Sequence, residues 1–435
     1  MQESVAVFLL IGLFAVMIIC HLPVTFAMVI ATATTMLYLN IPMMTMVQQM
    51  AKSVNSFSLL AIPFFILMGE IMGAGGISDR LLKFANVLVG RFRGGLAFVN
   101  VLASMFFGGI SGSAVADVSS LGKIEIPMME DAGYDKDFSI CVTVSSACQG
   151  LLIPPSHNMV LYAMTAGGVS VGKLFLAGYA PGILLGVALM VLCYIFAIKR
   201  NYPKGDPVSF KEALVITKDA VFAIGAMFII VGGVVAGLFT ATEAAAIGCI
   251  YCLLVATLVY RQLSLKDMGR ILYNTVKTLA MIYSLIAAAG AFAWMMAYLR
   301  IPAKFTGILM DVSDNKIVVL LLINVLLLLL GCIMDMAPLI LIMTPILLPV
   351  VQKFGMDPVQ FGIMLIANLA IGLLTPPVGL VLFTAVNVGK RPFGAVVKAF
   401  WPFIIISYLA LFAVTFIPQI VTWLPGALGF QIALS

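Results

Sequence analysis

Apolar residues in this chain come in blocks of about 20, the length a helix needs to cross the hydrocarbon core of a bilayer. Such blocks run near 4–22, 24–40, 58–76, 174–198, 219–238, 241–260, 277–298 and 399–424, and each predicts a spanning helix. Four others break the pattern. Residues 95–122 and 317–352 are interrupted by Gly, Ser, Asp or Pro, while 138–165 and 361–386 carry the adjacent prolines Pro154-Pro155 and Pro376-Pro377. The stretch PMMTMVQQMAKSVNSF at 42–57 is amphipathic and predicts a helix lying in the interface.

Composition fixes the solvent. Hydrophobic residues make up 63% of the 435 and charged residues 10%, with a mean hydropathy of +1.17, beyond any soluble domain of this length. The predicted fold class is an all-α integral membrane protein. The net charge of +6 does not imply nucleic acid, because in a membrane protein the positions of Lys and Arg matter more than their sum. Of the seven cysteines only Cys249 and Cys252 have CxxC spacing; without a second pair or a nearby His they read as packing. Residues 1–13, with Glu3 and no early Lys or Arg, lack the basic region of a cleaved signal and predict the first span.

Basic residues set the orientation. They cluster at Arg80, Lys83, Arg91 and Arg93, at Lys199, Arg200, Lys204, Lys211 and Lys218, at Arg261, Lys266, Arg270 and Lys277, and at Lys390, Arg391 and Lys398. Placing all four clusters in the cytoplasm requires 95–122 and 317–352 to be re-entrant hairpins, entered from opposite sides. Both termini then lie outside, as do Lys52, Lys173, Arg300, Lys304, Lys316 and Lys353.

An internal repeat appears at an offset of 222. Gly109 matches Gly331, Pro127 matches Pro349, Gly133 matches Gly355, Asp135 matches Asp357, and the GLL-x-PP at 150–155 matches that at 372–377. Because the charge rule gives the hairpins opposite sidedness, residues 1–198 and 219–424 read as two inverted-topology repeats. The segment 199–218 joins them as a cytoplasmic linker.

Proline lacks an N–H and clashes with the preceding turn, so each double proline predicts a discontinuous helix with freed carbonyls inside the membrane. Such backbone survives only where it lines a polar cavity or is buried in protein. The hairpin tips, GGISGSAVAD at 108–117 and GCIMDMAP at 331–338, supply Gly109, Gly112 and Gly331 for turns and Ser111, Ser113 and Asp335 for oxygen. Oxygen clusters bind hard cations, and half-helix N-termini bind anions. The parts suit a cation with an anionic substrate. Asp335 is either a cation ligand, since an ionisable group inside a span needs a partner, or a cap on the second hairpin arm.

SGSAVAD at 111–117, IPMM at 126–129, IPFFILMGEIM-x-AGGIS at 62–78 and the duplicated GLL-x-PP together resemble the large membrane subunit of tripartite ATP-independent periplasmic (TRAP) transporters, over nearly the whole chain. The resemblance implies an elevator-type, sodium-coupled importer of organic acids in the bacterial inner membrane. It implies two partners, a small four-helix membrane subunit and a periplasmic substrate-binding protein. It places Gly109, Ser111, Ser113, Gly150 and Pro154 in a first sodium region and Gly331, Asp335, Gly372, Thr375 and Pro376 in a second, with Ser113 and Ser156 facing the substrate. Here Ser156 is followed by His157 and Asn158, which suit a sialic-acid-type sugar acid, although a C4-dicarboxylate remains open; His157 is equally readable as a neutral histidine bonded to a carbonyl.

Other charges carry two readings each. Glu243 would contact the delivered binding protein or cap the span that begins near 241. Arg300 would attract the incoming carboxylate or snorkel to the interface. Glu70 and Asp117 are expected to complete hydrogen-bonded networks. A rival function, a rhomboid-like intramembrane serine protease, would use Gly109-Ile110-Ser111-Gly112 with His157 as base, but leaves the repeat and Asp335 without purpose. No nucleotide-binding G-x-x-x-x-G-K-[ST] occurs, which argues against an ATP-driven pump.

Overall fold

The computed structural model describes residues 2–205 and 208–429. In the first part of the chain run α1 (Gln2–Ile19), α2 (Val24–Tyr38), α3 (Met43–Val54), α4 (Ala61–Ala74), α5 (Ile77–Val89), α6 (Gly95–Ser111), α7 (Ala114–Ser120), α8 (Gly122–Asp131), α9 (Lys136–Gly150), α10 (His157–Ala166) and α11 (Val171–Lys199). The second part holds α12 (Phe210–Val235), α13 (Ala241–Leu254), α14 (Leu265–Tyr298), α15 (Ile301–Val312), α16 (Lys316–Gly331), α17 (Met336–Lys353), α18 (Pro358–Gly372), α19 (Leu380–Val388), α20 (Phe393–Phe416) and α21 (Pro418–Ala427). Among the described residues seven helices are long and apolar enough to cross a membrane.

Local chemistry starts these helices where the sequence allows it. Ser209 with Glu212, Thr240 with Glu243 and Ser264 with Asp267 form reciprocal capping boxes at the starts of α12, α13 and α14, satisfying backbone donors that the first turn leaves open. Proline opens α15, α18 and α21, where its missing N–H costs nothing.

Some expectations need correction. The third basic stretch is mostly helix: α14 runs 34 residues, about 50 Å, because the capping box at Ser264 starts it well before the apolar block at 277. The block 399–424 is two helices, since Pro418 breaks α20 from α21. The amphipathic stretch does form α3, and it packs tightly on α14: a Cβ on Gly290 would clash with the Ser53 hydroxyl. In 317–352, α17 is itself one of the seven long apolar helices.

The helices that lead into the double prolines lie in the core; Pro154-Pro155 is buried with them, whereas Pro376 is half-buried and Pro377 exposed. Every residue of α9 from Phe138 to Gly150 and of α18 from Val359 to Gly372 is buried. Each helix stops there: α9 gives way to α10 across residues 151–156, and α18 to α19 across residues 373–379, with both Pro-Pro bonds cis.

Two sets of contacts around these breaks are alike. In α6 and α9, Asn100 Nδ2 donates to Thr143 Oγ1 at 2.7 Å and the Ser146 hydroxyl donates to Asn100 Oδ1 at 2.6 Å. In α16 and α18, Asn368 Nδ2 donates to Asn324 Oδ1 at 2.8 Å. A turn or two further on, glycines meet: a Cβ on Gly150 would stand 3.0 Å from Gly108 Cα, and a Cβ on Gly372 2.7 Å from Gly331 Cα. Gly108, next to the Gly109 that matches Gly331 in the repeat, touches Gly150.

The basic loops gather at one end. Arg80 Nε donates to Asp219 Oδ2 at 2.9 Å, Arg93 to Asn201 Oδ1 at 2.9 Å, Arg200 to Asp135 Oδ2 at 2.6 Å, and Arg391 holds both oxygens of Asp137 at 2.7 and 2.9 Å. These bonds tie all of the first, second and fourth clusters together, and Arg80 also donates to Gln262 beside the third. The Tyr202 hydroxyl, followed by Arg200, holds the Asp135 carboxyl below the usual carboxylate range, and Arg391 does the same for Asp137. Lys304 and Glu3, from segments outside those clusters, approach to 3.7 Å.

Candidate functional site

A cavity of about 920 Å³ opens between α4, α14, the turn from α6 into α7, and the starts of α10 and α17. Its polar lining includes Glu70, Ser113, His157, Asn158, Asn274 and Asp335. Asp79, Lys123 and Arg270 also line it, and the Arg270 side chain is 69% exposed. Those three sit next to the segments whose basic residues gather, so the cavity reaches toward that end.

Two helix N-termini meet here for a reason written in the backbone. The first double proline ends α9, and α10 restarts at His157 after Ser156. The second hairpin turns at residues 332–335, and α17 starts after Asp335. Each start leaves backbone N–H groups without intrahelical partners, and together they give the cavity a positive backbone field. Asn158 Nδ2 donates to Gly112 O at 3.0 Å, fixing the restart against the first hairpin. The His157 ring packs on Gly112 so closely that any side chain there would strike Nδ1, and Gly112 has φ of +62°, a region that glycine alone enters freely. The second hairpin is tied to its own break in a similar way, Gly379 N donating to Cys332 O at 3.3 Å.

Of the residues singled out from the sequence, Ser113, His157, Asn158 and Asp335 share this cavity. Ser113 caps α7, accepting from Ala116 N at 3.3 Å. Asp335 caps α17, but through its neighbour Met336 N at 2.8 Å; one oxygen is engaged and the residue is exposed to the cavity. Gly150 and Gly331 sit in the glycine contacts, Gly372 with them, and Pro154 and Pro376 lead the two breaks. Ser156 is fully buried, and among the described residues its hydroxyl has no hydrogen-bond partner. Thr375 Oγ1 donates to Ile371 O at 2.6 Å and lies 3.2 Å from the Tyr408 hydroxyl. The side chains at Gly109 and Ser111 lie outside the described residues.

Two residues fall elsewhere. Arg300 is exposed, precedes α15 with φ of +51°, and does not line the cavity. Glu243 closes its capping box, accepting from Thr240 N and Oγ1 at 2.8 Å each. Glu70 does join a hydrogen-bonded pair, accepting from Asn274 Nδ2 at 3.2 Å. Asp117 is buried with Ser104 beside its carboxyl, and Ser104 in turn reaches Ser146 at 3.3 Å; a second carboxylate that no pattern along the chain marked, Glu125, is buried close enough to feel its charge. Asn274 also escaped notice, because it sits inside what the apolar pattern marked as a loop.

The family model for the tripartite ATP-independent periplasmic transporter DctM component matches residues 11–420. The sialic acid TRAP transporter large permease protein SiaM of Vibrio cholerae is 39% identical over 378 residues, 87% of this chain and 88% of that protein. The C4-dicarboxylate TRAP transporter large permease protein DctM of Pseudomonas aeruginosa is 40% identical over 375 residues, 86% of this chain and 88% of that one. Among solved structures, the Alcanivorax borkumensis YdaH transporter superposes with a TM-score of 0.63 at 14% identity, covering 88% of each chain; this likeness concerns the fold.

Proposed function

The chain belongs to the DctM-component family of large permease subunits, multi-pass proteins of the bacterial inner membrane, and on that premise we propose that it imports an organic acid together with sodium ions by an elevator movement. The observation that carries the proposal is the meeting of the α10 and α17 N-termini with Ser113 and Asp335 around one cavity. Helix N-termini attract a carboxylate. Carboxylate, hydroxyl and freed carbonyl oxygens suit a hard cation. The cargo is therefore an anion accompanied by sodium, whose charge offsets that of Asp335.

The like contacts of α6 with α9 and of α16 with α18 support two repeats of one design, each a hairpin packed by glycine against a discontinuous helix. Gathering of the basic clusters at one end supports the cytoplasmic assignment of that end, and with it the inverted sidedness of the hairpins. The cavity then faces the cytoplasm. In the elevator reading the hairpins and broken helices move as one body past a scaffold that includes α4 and α14. Gly109, Ser111, Ser113, Gly150 and Pro154 form the first sodium region, and Gly331, Asp335, Gly372, Thr375 and Pro376 the second; Ser156, His157 and Asn158 face the substrate.

A small membrane subunit and a periplasmic binding protein complete the system, the latter delivering substrate at the outer face. The matched family is a transport component, which is the ground for preferring this reading to the intramembrane protease. Reconstitution with the two partner proteins tests it: uptake of an organic acid should follow an inward sodium gradient, and uptake indifferent to sodium would refute the coupling.

A further inference from the structure

The cavity has a second wall that the transport chemistry above does not use. On α14, Arg270, Asn274 and Thr278 all line the cavity; spaced by four, they form one stripe. On α4, Glu70 is half-buried and lines the cavity with Gly69 and Gly73. Asn274 Nδ2 donates to Glu70 Oε2 at 3.2 Å, so the amide fixes the carboxylate and presents its own carbonyl oxygen. Among the described residues Glu70 makes no ion pair. The two basic residues of the cavity are Lys123 and Arg270, and Arg270 is largely exposed beside Asp267 at 3.5 Å.

An acid bound through one carboxylate at the helix N-termini must place its remainder in this cavity with Glu70. A second carboxylate beside Glu70 would meet a like charge. Hydroxyl groups would instead donate to the carboxylate and exchange hydrogen bonds with Asn274 and Thr278.

We propose that Glu70, oriented by Asn274, is a specificity-determining residue, and that the cargo is a polyhydroxylated monocarboxylate rather than a C4-dicarboxylate. The inference rests on the transport reading above and selects within it.

The test uses the purified permease with its small subunit, measuring the thermal midpoint in sodium and in choline while titrating N-acetylneuraminate, gluconate, succinate or fumarate. Sugar acids should raise the midpoint in sodium only, and the C4 acids should not. Glu70→Gln keeps the shape and the Asn274 contact; it should weaken the sugar acid about tenfold or more and narrow the gap to succinate. Succinate or fumarate binding in sodium as tightly as either sugar acid, or Glu70→Gln leaving both classes unchanged, overturns the assignment while the transport reading stands. The comparison of acids on the unaltered chain does not depend on the variant folding. If none of the acids acts in a sodium-dependent way, both readings fall.

Discussion

Gly331 and Gly372 meet backbone to backbone: a methyl group on Gly372 would lie 2.7 Å from both the Cα and the carbonyl carbon of Gly331. Neither neighbour is a flexible side-chain end, so the hairpin itself would have to move. Gly372→Ala should therefore cost about 1 to 3 kcal/mol or more and lower sodium-driven uptake. Gly394, with open space around its Cβ position, is the control. Thermal unfolding of both variants in detergent, with Gly394→Ala unchanged and Gly372→Ala clearly lowered, is the expected outcome; equal midpoints would mean that the contact is not tight.

Asp335 decides between capping and cation binding. Its carboxylate accepts from Met336 N and also faces the cavity. Asp335→Asn keeps shape and one oxygen but removes the charge. Loss of a charge-assisted cation contact should cost about 1.5 to 3 kcal/mol, raising the sodium concentration for half-maximal uptake roughly ten- to a hundredfold. Were Asp335 only a cap, Asn would serve nearly as well and that concentration would not change.

Asp117 and Glu125 are both buried, close enough for each to feel the other's charge, with Ser104 beside the Asp117 carboxyl. An unpaired buried carboxylate is costly. Glu125→Gln removes one of two like charges and replaces a buried carboxylate by an amide that costs less to bury. The variant should melt at a higher temperature than the unaltered protein. A lower midpoint would show that both charges are needed, as they would be around a bound cation.

At the basic end, Arg391 holds the Asp137 carboxyl below the usual carboxylate range. A group whose folded pKa is depressed contributes stability above its unfolded pKa and loses it as pH falls through the folded value. Arg391→Ala should thus be less stable than the unaltered protein at neutral pH. The difference should shrink as acid protonates Asp137, below about pH 4. Midpoints of the two proteins across that range check the sign, and a gap that widens in acid would contradict it. The pair is surface-exposed, so salt should weaken it.

Part of the site was legible early because its causes are local. Apolar blocks give spans whatever packs against them, and Pro154-Pro155 and Pro376-Pro377 end helices by ring geometry and a missing N–H, with no help from distant residues. An aspartate in an apolar hairpin marks a site on solvation grounds alone, and Asp335 does line the cavity. Glu243 and Thr240 stand at capping-box spacing, and the box forms.

Chemistry local to each segment thus suffices for the solvent, the helices, their breaks and the residue types available at the tips. Which parts meet is a matter of long-range packing. It seats Gly108 on Gly150 and Gly331 on Gly372, since a helix face selects the touching residue. It brings Glu70 to Asn274 across 204 positions, leaves Arg300 outside the cavity, and sets Asp117 against Glu125. These outcomes depend on how helices far apart in the chain pack together, where each contact is bounded by the volume and polarity of its neighbours. Periodicity along one segment carries no information about those neighbours.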